Sequence, residues 1–305
     1  MNYYTLNDYI KDTFGEKLYK LSLNGGMTCP NRDGTIGKGG CIFCSQGGSG
    51  DFAESSTLSI DEQIELAKKR VSSKFKGNRY IAYFQAYTNT YAPTEYLKQL
   101  FKQVIARDDI AVLSIATRPD CLPDDVIELI DQLNKQKPVW IELGLQTANE
   151  RTAKYIRRGY DNKCFEQAVK KLNKIGVHVV AHVILGLPNE TEADMLKTID
   201  YVGKIGVDGI KIQLLHVLRN TDLCNDYEQG KFKVLSMEEY NDLLVKSIER
   251  LPKTMVIHRI TGDGPKKILV APQWSADKKR VLNSINKEFK SKNVIQGRKF
   301  DNNKL

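Results

Sequence analysis

Between Arg79 and Leu215, short apolar runs rich in β-branched residues alternate with longer stretches whose apolar positions recur every three or four residues. The short runs are YIAYF, IAVLSIA, PVWIELGL, VHVVAHVIL and VDGIKIQLL; the longer ones include PTEYLKQLFKQVIAR and DDVIELIDQLNKQ. This is a βα repeat, and LYKLSLN ahead of it reads as a further strand, giving six βα units with parallel strands and right-handed crossovers. A closed barrel needs eight units, so the pattern predicts an open, partial (β/α)6 TIM-type barrel of the α/β class. Its working end should lie at the carboxyl ends of the strands. Ser59 before IDEQIELAKKR and Thr191 before EADMLKTIDYV read as helix N-caps with carboxylates in the first turn.

After Leu215 the rhythm changes, and HVLRNTDLCNDYEQGKF reads as a long irregular connection. The expected organisation is a core over 1–235, a small α+β extension over 236–292, and a polar tail over 293–305. The extension holds a helix (MEEYNDLLVKSIERL), a strand (TMVIHRITG) and a basic helix (WSADKKRVLNSINKEFK).

With 305 residues and 41% hydrophobic content the chain can bury a large core. It contains no apolar run long enough to span a membrane, and its amino terminus lacks a secretory pattern, so we expect a cytoplasmic protein without a membrane partner. The six cysteines then read as reduced thiols. Charge adds a clue about partners. The 46 basic residues outnumber the 37 acidic ones, and the excess is concentrated from Lys266 to Lys304, as expected of a surface that binds a polyanion. A solvated helix face followed by a ragged end is the plainer reading.

The candidate chemistry sits in TCPNRDGTIGKGGCIFCSQGGSG, residues 28–50, where Cys29, Cys41 and Cys44 are spaced C-x11-C-x2-C. A structural zinc site takes four ligands, so three thiols would need a distant fourth. Three thiolates on a four-iron cluster leave one iron open to a small molecule. Together with CIFC, the segments TRPD (117–120), LGLQTANERTAKYIRRGY, HVILGLPNET and HRITGD resemble the radical S-adenosylmethionine (SAM) superfamily. The stretched first gap resembles its YhcC/YtqA branch and the catalytic subunit of Elongator.

The resemblance implies one [4Fe-4S] cluster held by Cys29, Cys41 and Cys44, with SAM as second cofactor. It puts Phe43 near the adenine, and Gln146 and Arg158 near the ribose and methionine carboxylate. His182 and Gly186 fall in the fifth-strand motif beside the adenine. Arg158 can equally be a solvated helix residue, and His182 a satisfied barrel histidine. Where the superfamily often has a glycine pair, this chain has FQAYTNTYAP, so Thr88, Asn89 and Thr90 are alternative acceptors for the cofactor's amino group.

The resemblance also implies a one-electron donor such as flavodoxin or ferredoxin, and tRNA as partner. The expected reaction is wobble-uridine maturation from carboxymethylaminomethyl to aminomethyl through a 5′-deoxyadenosyl radical. The Elongator subunit continues into an acetyltransferase domain, so acetyl-dependent carboxymethylation is not carried over. Arg118, Lys211 and Arg219 are candidates for gripping the substrate carboxylate, with cofactor binding or structural ion pairing as their alternative. Cys121 can touch substrate or be a small core residue, and Cys164 and Cys224 stand singly. Tyr87, Tyr91 and Trp274 can stack on a flipped base or belong to the core. Two rival functions remain open: a radical SAM enzyme acting on a small molecule or peptide, and a non-enzymatic metal-containing RNA-binding protein.

Overall fold

The computed structural model describes residues 3–301 apart from Ser49, Phe52 and Asp263. The last four residues of the expected tail, and Ser49 of the cysteine loop, lie outside the described residues.

The β-branched runs form strands β1 (Tyr19–Leu23), β2 (Tyr80–Phe84), β3 (Ile110–Thr117), β4 (Val139–Gln146), β5 (His178–Leu185) and β6 (Gly209–Leu214). Two short strands, β7 (Val217–Leu218) and β9 (Leu269–Ala271), pair antiparallel as a separate ribbon, and β8 (Val256–Arg259) lies between them in sequence. The main sheet has seven strands, not six, in the order β1-β2-β3-β4-β5-β6-β8, all parallel. The added strand is the TMVIHRITG run assigned to the extension. It pairs with β6 because the helix before it serves as one more crossover.

Helices α2 (Ile60–Val71), α3 (Thr94–Ile105), α4 (Asp124–Asn134), α6 (Asn162–Lys174), α7 (Glu192–Lys204) and α9 (Met237–Arg250) connect successive strands of the sheet. The short α5 (Glu150–Tyr155) and α8 (Asp222–Glu228) flank the mouth, and α10 (Lys278–Ser291) packs on α9. Ser59 and Thr191 each form a reciprocal capping box, with Glu62 and Asp194 respectively. The outward strand faces and the inner helix faces share one continuous apolar core, including Leu97, Phe101, Ile141, Phe165 and Leu244.

The amino end of the barrel is closed by α1 (Leu6–Phe14). Ile10 is buried with Leu18, Ile81, Val112 and Trp140, and Tyr9 stacks on His178 at 4.9 Å. The described part of the expected tail is docked rather than loose. Val294 and Gln296 are buried, and Glu249 on α9 bonds Arg298 and Lys299. Three of the late basic residues, Lys292, Arg298 and Lys299, are therefore paired with carboxylates.

Candidate active site

Strands that alternate in and out send every second side chain into the barrel. Along β4 the inward row runs Trp140, Glu142, Gly144, Gln146, passing from an aromatic plug to a polar mouth. Two adjoining cavities of about 320 and 160 Å³ occupy the carboxyl end, and Phe43, Cys44, Gln85, Gln146, His182, Gln213 and Arg259 line both. All three loop cysteines, Cys29, Cys41 and Cys44, line the second cavity.

The described residues of the cysteine loop form no helix or strand, so other contacts must fix them. Ile42 is buried against Ile156, Leu187, Leu215 and Leu223, and its backbone bonds Ile156 and Leu223 at 3.2 and 3.0 Å. Gly48 lies under the Tyr87 ring, where a Cβ would fall 2.2 Å from ring carbon. Tyr87 is itself left-handed (φ 59°) and donates its hydroxyl to the carbonyl of Gln46. Inside this frame Arg32 donates to the Cys44 and Ser45 carbonyls. The Cys41 thiol is lowered to about 7, first by its hydrogen bond with Cys44 and further by Arg118, Asn31 and Arg32, against the effect of burial. A thiolate at this position is the form that ligates metal.

Below the cysteines lies a buried charge network absent from the expectations above, apart from His182 and Lys211. Glu142, fully buried, accepts hydrogen bonds from Lys20 Nζ at 2.9 Å, Ser114 Oγ at 2.8 Å, His182 Nε2 at 2.7 Å, and Lys211 Nζ. The Tyr83 ring lies against both ammoniums, 4.5 Å from Lys20 Nζ and 4.4 Å from Lys211 Nζ, and its hydroxyl meets Lys211 at 3.3 Å. The two lysines beside Glu142 and the His182 bond hold its carboxyl well below the usual range despite burial. Burial, followed by Lys211, pulls His182 down to about 4, so the imidazole is neutral and donates to Glu142.

A match to the Radical SAM superfamily covers residues 29–202, and a match to the Radical_SAM C-terminal domain covers 207–291. The chain belongs to the radical SAM superfamily. It is 48% identical over 298 residues to the uncharacterized protein YtqA of Bacillus subtilis, covering 98% of this chain and 92% of that one. It is 27% identical over 168 residues to the tRNA uridine(34) acetyltransferase of Methanocaldococcus infernus, covering 54% and 31%. Among solved structures, archaeal Elp3 from Methanocaldococcus infernus, lacking its N-terminus, superposes with a TM-score of 0.69 at 17% identity. That superposition covers 92% of this chain and 64% of that one and shows the fold.

Radical SAM enzymes use a [4Fe-4S] cluster and SAM. The residues present fit that pair, since three sulfurs line one cavity that continues into a larger one walled by amides and Phe43.

The structure sorts the remaining candidates. Gln146 lines both cavities and is left-handed (φ 63°), a strained state that is informative at a ligand site. Arg158 lines neither cavity. Its guanidinium is buried, and all five donors are used, on the carbonyls of Tyr160, Leu145 and Thr147 and on the side chains of Glu150 and Asn162. It pins the turn after β4, and Gln146 with it. Gly186 lines neither cavity; its φ of 86° and the Leu235 side chain 3.0 Å from a built Cβ explain the glycine.

Of the three carboxylate-gripping candidates, Arg118 forks onto Asp120 (2.9 and 2.7 Å) and bonds the Arg158 carbonyl. Arg219 is exposed and lines neither cavity. Only Lys211 points into the barrel without a fork partner of this kind.

Cys121 faces a separate groove that Pro30, Thr35 and Ile36 of the cysteine loop also line, and burial pushes its thiol up to about 12. Thr88 lines the second cavity, whereas Asn89 bonds the Phe84 and Ala116 carbonyls and Thr90 bonds Thr117 and Cys121. Tyr87 reaches the cavity, Tyr91 faces the outer groove, and Trp274 donates to the Leu235 carbonyl against the core.

Lys20, Tyr83, Gln85, Glu142, Gln213 and Arg259 were not among the expected site residues. Their signal is a period-two polar residue inside an apolar strand, as in YKLSL, WIELGLQ and GIKIQL. A barrel interior makes that pattern meaningful, because inward positions are buried yet polar.

Proposed function

We propose that this radical SAM enzyme modifies tRNA, shortening a wobble-uridine arm from carboxymethylaminomethyl to aminomethyl. The observation that supports it most is the joining of the cysteine cavity to the Glu142 network, which puts ammonium groups beneath the place where a substrate arm would enter. Similarity to the Methanocaldococcus tRNA uridine(34) acetyltransferase supports RNA as substrate class. Exposed Lys266 and Lys267 directly follow Gly264 and Pro265 at the rim of the larger cavity, where they can meet phosphates.

When bound, the cluster and SAM supply a 5′-deoxyadenosyl radical able to remove hydrogen from an unactivated carbon. This chain's residues do the rest. Cys29, Cys41 and Cys44 anchor, Phe43 and Gln146 position, and the closed amino end excludes water from below. On the N–CH2–COO⁻ methylene, loss of one hydrogen atom and then of one electron to a one-electron acceptor gives a protonated imine. One water cleaves that imine to glyoxylate and the aminomethyl group.

The test is anaerobic reconstitution, then incubation with SAM, a reductant and RNA carrying the modified uridine, with nucleosides and 5′-deoxyadenosine measured by liquid chromatography and mass spectrometry. Equal yields of 5′-deoxyadenosine and aminomethyl-uridine are expected. Abundant 5′-deoxyadenosine without nucleoside change would overturn the RNA reading and favour a small-molecule or peptide substrate.

A further inference from the structure

The floor network is unbalanced. Glu142 is its only carboxylate, yet Lys20 and Lys211 both place an ammonium on it, and His182 contributes no charge. Two amines share one buried anion, so with both protonated the floor carries one positive charge more than Glu142 can match, a state that a further anion would favour. The excess faces open space rather than protein. Lys211, Tyr83 and Glu142 line the same cavity as the cysteines, with Lys211 and Tyr83 each less than a tenth exposed.

Other charged groups lining the two cavities leave the excess in place. Asp51 sits at the mouth and is bonded by Ser45, and Arg118 is matched by Asp120. Arg259 adds to the positive field felt by Lys211. Amides surround the space, since Gln85 and Gln213 line both cavities and the Nε2 of Gln146 points beside Gly144 while its Oε1 accepts from Tyr160 at 3.3 Å.

We infer that Lys211 and Tyr83, with the orienting carboxylate Glu142, form an anion subsite on the barrel floor that takes a carboxylate of the substrate. Substrates lacking an acidic group at this position are rejected, because they offer no counter-charge for the second cation on Glu142. Burial and the neighbouring Lys20 and Arg259 depress Lys211, and a bound carboxylate acts in the opposite sense. Glu142 acts as a positioning residue, holding the lysine from one side so that the other side meets the ligand. The inference rests on the proposed reading for the identity of the arm, though not for the existence of the subsite.

The experiment uses the reconstituted holoenzyme with SAM bound and two probes, N-methylglycine and N-methylglycinamide, followed by saturation-transfer NMR. The acid should bind at millimolar concentration and the amide at least tenfold more weakly. Lys211→Met should abolish the difference and Lys211→Arg should retain part of it. Equal binding of acid and amide by the unmodified protein overturns the subsite, even if the Met variant fails to fold. So does loss of acid binding whenever SAM is present, which would make the floor the cofactor's own carboxylate site.

RNA supplies the separating arm of the experiment. If acid and amide are discriminated but no nucleoside changes, the subsite stands and the RNA reading falls. If RNA bearing the arm as its amide is processed as fast as the acid, the subsite falls and the RNA reading stands.

Discussion

The two ends of the barrel interior are built from the same strands and differ in kind. At the amino end Trp140, His178 and His258 pack ring on ring under Tyr9, with the two histidines 3.1 Å apart at Nε2. Two residues further along β4, roughly 7 Å by strand rise, Glu142 gathers two lysines and a histidine. One end is a plug whose value is stability. The other is a polar chamber that is expensive to fold and has value only with a ligand. Two histidines of β5, His178 and His182, show the division within one strand, the first stacked on tyrosine and the second bonded to carboxylate.

That division can be broken most sharply at the chamber's roof. Cys41→Ala should drop iron content and SAM cleavage to background. Unfolding of the metal-free chain should change by no more than about 1 kcal/mol, because the thiol belongs to no core cluster. Equal loss of stability and activity would erase the contrast. Trp140→Ala tests the plug and should cost about 4 kcal/mol in denaturant unfolding while the remaining folded fraction still binds iron.

Between these sits Glu142→Gln, which strands the buried Lys211 and the half-buried Lys20 and should cost about 3 kcal/mol. The Glu142→Gln, Lys211→Met double variant should recover part of that loss, and a double-mutant cycle reads the coupling. A cycle with no coupling would mean that the floor is not one network.

Smaller effects follow pH. Burial holds His178 down to about 4, against 6.5 when unexposed groups are freed on unfolding. The unfolded chain therefore takes up a proton that the folded chain refuses, and stability present above pH 6.5 drains away as pH falls toward 4. His178→Phe should flatten that slope in pH-dependent denaturation. Glu190 slopes the other way. Burial raises it to about 7, so the folded chain keeps a proton that the unfolded chain releases, and stability declines as pH rises from 4.5 to 7. Glu190→Gln should remove the decline and be the more stable protein at pH 8.

The contrast also explains what could be read from the chain. Strands β1 to β6 were legible because β-branched runs and capped helices are local signals, and the cysteine spacing stood out because it is compact. The seventh strand was missed as part of the sheet because β8 is four residues long and its pairing with β6 is not local. The docked tail was missed for the same reason. Gln296 is fixed by Tyr4, Pro252 and Met255, which no window of sequence contains. The carbonyls that Arg158 meets could not be read from the chain, because a guanidinium suits a carboxylate and a backbone carbonyl alike. Lys211 was legible, but Lys20 and Glu142 escaped because a charged residue in a strand reads as solvent-facing until the strand is curled into a barrel.

The start of the described chain also covers one border of the sheet. The backbone of Ile257 donates to the Tyr4 carbonyl at 2.8 Å, and Thr5 bridges Ile257 in parallel. These few residues occupy hydrogen-bonding groups that β8 would otherwise present to any passing strand. An open barrel has two such borders and is prone to self-association through them. Trimming the segment ahead of α1 would therefore show itself first as concentration-dependent aggregation of a protein whose chamber is intact.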